Sequence, residues 1–120
     1  MARILFVDDD WTALHLYERA CLILGHQAIL ADTGEQALAI ATEQAPNLIL
    51  LDKQLPDSDG FQILSRLNKM DQTARIPIVI LSAGTSPLDR QVALAAGAQS
   101  YLVKPLSLAS LKDVISKFCS

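Results

Sequence analysis

Apolar and polar positions follow two alternating periods along this chain. Short unbroken apolar runs fall at Arg3–Val7, Gln27–Ala31, 48–51, 76–81 and Ser100–Val103. Runs of that length, bounded by turn residues, suit strands of a parallel sheet buried on both faces. Between them apolar residues recur every three or four positions. Leu14, Tyr17, Cys21 and Leu24 share one helical face, and Leu108, Leu111, Ile115 and Phe118 repeat the spacing. Leu88, Val92 and Ala95 follow a four-then-three version, while 35–44 and 61–69 are less periodic but rich in helix formers.

Turn chemistry marks the same boundaries. Gly25 follows the first helical stretch, Thr33-Gly34 precedes the second and Pro46 closes it. Asp59-Gly60 opens the third, Pro87 suits the first turn of the fourth, and Gly97 ends it. Five strand–helix units with short connections predict an α/β fold: a five-stranded parallel sheet with helices on both faces and right-handed crossovers. One domain over residues 1–120 is expected. In the strand order 2-1-3-4-5, the order reverses between the first and third strands, and ligands of such sheets bind at that carboxyl edge.

Composition narrows the class. With 51% hydrophobic and 19% charged residues the chain is a compact globule. A net charge of −3 gives no electrostatic reason to expect nucleic acid or an anionic membrane as a partner. Cys21 and Cys119 belong to no metal or redox spacing, and Cys21 reads as a buried thiol. Strand-like residues begin too near Met1 for a signal peptide and no run approaches membrane-spanning length, so a cytoplasmic protein is expected. His15 and His26 read as surface or helix-end residues.

The chemistry lies where the runs end. The first strand runs into Asp8-Asp9-Asp10, the third into Asp52 and the fifth into Lys104-Pro105. If the three are parallel neighbours, carboxylates and an ammonium meet on one rim. Such a cluster can hold a hard divalent cation and manage a phosphoryl group beside it. Asp8 and Asp9 are adjacent, so both can aim at one site only where the strand turns into its loop; the bland alternative is helix capping, assigned here to Asp10. An aspartate such as Asp52 can form an acyl phosphate, given a cation to offset the charge. Magnesium suits carboxylates, phosphate oxygens and water. Asp57-Ser58-Asp59-Gly60 fails the register of a calcium loop and reads as loop and cap. Ser82 stands at the same rim, as a hydrogen-bond donor or simply a strand-ending residue, and Pro105 allows a cis peptide.

In this order Asp8, Asp9, Asp52, Ser82 and Lys104, within ILFVDDD, LLDKQLPDSDG, IVILSA and SYLVKP, closely resemble the receiver domain of two-component response regulators over essentially the whole chain. The resemblance implies a flavodoxin-like fold and a role for each residue. Asp52 would be the phosphoacceptor, Asp9 a direct magnesium ligand, Asp8 one acting largely through water, and the Gln54 backbone carbonyl a further ligand. Lys104 would contact the phosphoryl group, and Ser82 would turn inward to it together with a rotamer change of Tyr101. That shift alters the surface of the fourth helix, fifth strand and fifth helix. A histidine kinase or histidine phosphotransfer protein would be the donor, and a protein target or fused output domain the recipient. Slow hydrolysis of its own acyl phosphate would give catalytic character without a conventional enzyme. Ala83 leaves the site open, Gln54 and Gly84 stand where lifetime is tuned, and Lys53 is less usual than an apolar residue there and is expected to point away from the metal. Trp11 follows the acidic cluster as a candidate fluorescent reporter.

Two rivals stay in view. A magnesium-dependent aspartate-nucleophile phosphohydrolase favours a second acid where this chain has Gln54, and needs a cap domain. A receiver-like binding module acting without phosphorylation would have no use for the intact acidic set. A stand-alone regulator and a receiver cut from a larger protein are both compatible with the sequence.

Overall fold

The computed structural model describes residues 1–84 and 86–119. Strands β1 (Arg3–Val7), β2 (Gln27–Ala31), β3 (Leu48–Asp52), β4 (Ile78–Ser82) and β5 (Ser100–Val103) alternate with helices α1 (Trp11–Ile23), α2 (Gly34–Gln44), α3 (Gly60–Lys69), α4 (Pro87–Ala95) and α5 (Leu108–Cys119). All strand pairs are parallel, in the order β2-β1-β3-β4-β5. The central strands β3 and β4 are buried at every position, which is why they read as unbroken apolar runs.

The pleat sends alternate residues to two cores. Ile4, Phe6, Leu48, Leu50, Val79 and Leu81 meet Leu14, Tyr17 and Cys21 of α1 and Leu111 and Ile115 of α5. Leu5, Val7, Ile49, Leu51, Ile78 and Ile80 meet α2, α3 and α4 on the opposite face. Local chemistry sets the helix starts. Asp10, Thr33, Asp59 and Ser86 each cap a helix with a side-chain oxygen, and Pro87 occupies the first turn of α4.

The boundaries of two strands need correction, and one helix turns its apolar stripe outward. The fourth run begins at Ile78 rather than position 76, because Pro77 has no N–H to give the ladder. Both β3 and β4 continue one residue further than expected, so Asp52 and Ser82 are the last residues of their strands. The Leu88, Val92 and Ala95 stripe does not face the core. Leu88 is 68% and Val92 42% exposed, and among the described residues of α4 only Ala93 is buried. One helix end also breaks the usual rule: Ala45, not a glycine, takes the left-handed conformation (φ 46°) that ends α2 before Pro46.

Candidate functional site

The reversal between β1 and β3 brings the acidic residues together. Val7 pairs in register with Leu51, so Asp8 and Asp52 leave neighbouring strands side by side. Asp8 is 1% exposed, and its N–H extends the ladder to the Ala31 carbonyl at 3.1 Å. Its Oδ1 accepts the Asp10 N–H at 2.9 Å, a tight turn that bends the chain directly after the strand. That bend answers the problem of adjacent residues on opposite faces. Asp9 is exposed, yet one carboxylate oxygen from each of Asp8, Asp9 and Asp52 lies within 4.8 Å of the others.

Lys104 closes the cluster from β5. Its ammonium lies 2.8 Å from Asp8 Oδ2 and 3.1 Å from Asp52 Oδ2. Its own N–H bonds the Ser82 carbonyl at 2.7 Å, and the following Lys104–Pro105 peptide is cis. Asp52 Oδ1 accepts the Gln54 N–H at 3.3 Å. Burial raises the Asp52 pKa, outweighing the hydrogen bond and charge of Lys104 that lower it. Burial acts to lower the Lys104 pKa, but its bonds to Asp8 and Asp52 outweigh that and leave it raised. A carboxylate in that position gains from a second cation nearby, which favours its charged form.

Ser82 ends β4 at the same rim, with its hydroxyl oxygen accepting the Gly84 N–H at 3.2 Å and its hydrogen donated to no partner among the described residues. Asp9, Asp52, Gln54, Ser82, Ala83 and Lys104 line part of an open cleft of about 530 Å³. Tyr101 on β5 is 3% exposed and packs in the core beneath α4. Its hydroxyl has no hydrogen-bond partner among the described residues. Trp11 is half-exposed, with its Nε1–H donating to Asp32 at 3.0 Å.

Two long-range contacts carry no sequence signal. The ammonium of Lys53 is turned to α4, where it pairs with Asp89, rather than to the acidic triplet. Asp57 lies across the N-terminus of α2, accepting the N–H groups of Gly34 at 2.8 Å and Glu35 at 3.1 Å. The expected cap role of the Asp57–Gly60 segment is therefore divided: Asp59 caps α3, and Asp57 serves α2. No helix among the described residues is long and apolar enough to cross a membrane.

This doubly wound parallel sheet carries three carboxylates, a hydroxyl and an ammonium at its switch point, where ligands of such sheets bind, and the set can hold a hard cation beside a phosphoryl group. Relatives narrow this further. The sequence profile of the response regulator receiver domain matches residues 4–116. Transcriptional regulatory protein PrrA of Mycobacterium tuberculosis is 42% identical over 109 residues, which cover 91% of this chain and 46% of that protein. The chain thus spans about half the length of several curated relatives it matches. Protein PilH of Pseudomonas aeruginosa is 33% identical, with 97% of this chain and 96% of that one covered. Among solved structures, the receiver domain of sensor histidine kinase PA1611 from Pseudomonas aeruginosa has magnesium coordinated in its active-site cleft. It superposes with a TM-score of 0.89 at 31% identity, covering 98% of this chain and 96% of that one. The chain belongs to the response regulator receiver domain family, the receiver module of two-component signalling.

Proposed function

We propose that this receiver takes a phosphoryl group from a phosphohistidine donor onto Asp52. The observation that carries the reading is the contact of one ammonium, Lys104, with both Asp8 and Asp52 at the strand-order reversal. In the transfer an Asp52 oxygen attacks phosphorus, the phosphorus–nitrogen bond breaks, and the electron pair leaves with the imidazole. Lys104 is already within bonding distance of Asp52 and follows the charge onto the phosphoryl oxygens. The Ser82 hydroxyl, which donates to no partner among the described residues, would donate to the same oxygens.

The hard oxygen donors of Asp8, Asp9 and Asp52 suit magnesium, and the Gln54 backbone carbonyl would complete the protein ligands. Bound there, the metal supplies the positive charge that offsets carboxylate plus phosphoryl.

Ser82 turning toward the phosphoryl group would leave room above β5 for Tyr101 to move. Among the described residues the buried Tyr101 hydroxyl has no partner, a cost of about 1–3 kcal/mol set against the inward position of the ring. The exposed Leu88 and Val92 on α4 belong to the output surface, which a downstream protein or fused domain would read. The proposed setting is cytoplasmic, with residues 1–120 acting as one receiver domain.

Incubation with acetyl phosphate followed by phosphate-affinity electrophoresis tests the reading. A magnesium-dependent retarded band, cleared by hydroxylamine and absent in Asp52→Asn, is expected. A folded wild type that never gives the band overturns it.

A further inference from the structure

Lys53 follows the acceptor directly and lines the same cleft as Asp52 and Lys104, so the cleft holds two ammonium groups. Among the described residues only Lys104 pairs with the acidic triplet. Lys53 reaches across to Asp89 in the first turn of α4, and both side chains are roughly a quarter to a third exposed, at 26% and 30%. A pair so open to water is weakly held and readily exchanged.

The helix it fastens buries little apolar surface. Ala93 is its one buried residue among those described, and Leu88 and Val92 face outward. A second polar tie comes from the next residue, Arg90, whose Nη1 donates to the Tyr101 carbonyl at 3.1 Å. The first turn of α4 is therefore tied down by two adjacent charged side chains, one of them reaching the residue beside the acceptor, while at the far end of the helix Asn68 donates to the Ala96 carbonyl at 2.7 Å. Phosphorylation replaces the single charge of the Asp52 carboxylate by close to two on the phosphoryl oxygens, about one further negative charge, and brings strong acceptor oxygens into the cleft. The single negative charge of Asp89 is a poorer partner for the same ammonium.

We propose that Lys53 is a second phosphoryl-directed cation, and that its transfer from Asp89 to the phosphoryl oxygens unfastens the first turn of α4. Lys53 is thus a positioning residue that links acyl-phosphate occupancy to the output helix. This rests on Asp52 being the acceptor.

The test is the affinity of beryllofluoride, a phosphoryl mimic that binds an aspartate carboxylate, titrated in saturating magnesium. Asp89→Asn frees the ammonium and should tighten binding about fivefold, while Lys53→Met should weaken it about fivefold. The double variant should match Lys53→Met, and Lys53→Arg should stay near wild type. In parallel, amide exchange across the first turn of α4 should rise on beryllofluoride binding in the wild type. In Asp89→Asn it should be high beforehand. If both single variants shift affinity in the same direction, or neither shifts it, the pair is only structural and the proposal falls while Asp52 stands. If the wild type itself binds no beryllofluoride, the acceptor reading falls and takes the proposal with it.

Discussion

Replacing Lys104 with Met keeps most of the side-chain stem and removes an ammonium now 2.8 Å from Asp8 and 3.1 Å from Asp52. Removing one partner of a buried ion pair typically costs about 3–5 kcal/mol. The side chains of Asp8 and Asp52 are 1% and 10% exposed, but that of Lys104 is 23% exposed, so water already screens part of the interaction. The discounted loss is about 2 kcal/mol at neutral pH without magnesium. Its pH dependence follows from Asp52. Burial already raises that pKa, and the variant loses the lysine that lowers it. A carboxyl whose pKa is raised on folding favours the folded state when protonated and loses that contribution as pH rises through the folded value. The deficit of Lys104→Met is therefore largest above the folded pKa of Asp52 and shrinks on acidification. Magnesium should also bind more tightly once the competing ammonium is gone; a tenfold gain would recover about 1.4 kcal/mol. Urea unfolding of both proteins at neutral and mildly acidic pH, with and without magnesium, measures each quantity. A variant as stable as wild type at neutral pH, or a deficit that grows on acidification, would refute the reasoning.

Two other substitutions probe how the site is supported. A methyl at Gly60 would collide with the Asp52 carbonyl oxygen and come within 2.9 Å of the Lys53 Cα, so Gly60→Ala should lower the urea midpoint and slow acetyl-phosphate labelling together; labelling at the wild-type rate would contradict that close packing. The N–H of Gly34, then burial working against it, then the N–H of Glu35 leave the Asp57 pKa lowered. Asp57→Asn should thus be less stable than wild type above the ordinary carboxylate range, the gap closing as pH falls through the native pKa; an unchanged gap across acid titration would count against the cap.

The strand runs and the acids that end them were legible because β3 and β4 are buried on both faces. A continuous apolar run that stops at a charge fits little besides a central strand reaching its rim. The meeting of Asp8, Asp52 and Lys104 followed from strand order, since parallel strands deliver their carboxyl ends to one edge. Helix α4 was harder. Its Leu88, Val92 and Ala95 spacing announces a helix correctly, but periodicity cannot tell a stripe packed on the sheet from one left outward for a partner. Asp57 and Lys53 were opaque for another reason. Their partners are 23 and 36 residues away, and only tertiary packing sets them within bonding distance. Ala45 taking a left-handed turn where glycine is the usual choice likewise reflects the fold overriding local preference.

The central claim is that Asp52, and no neighbouring acid, carries the phosphoryl group. Borohydride reduces an acyl phosphate of aspartate to homoserine, so phosphorylated protein can be reduced, digested and sequenced by mass spectrometry. Homoserine at position 52 in the magnesium-treated sample, with Asp8, Asp9 and Asp57 unchanged, is the predicted result. Homoserine at any of those three positions with Asp52 intact would contradict the account.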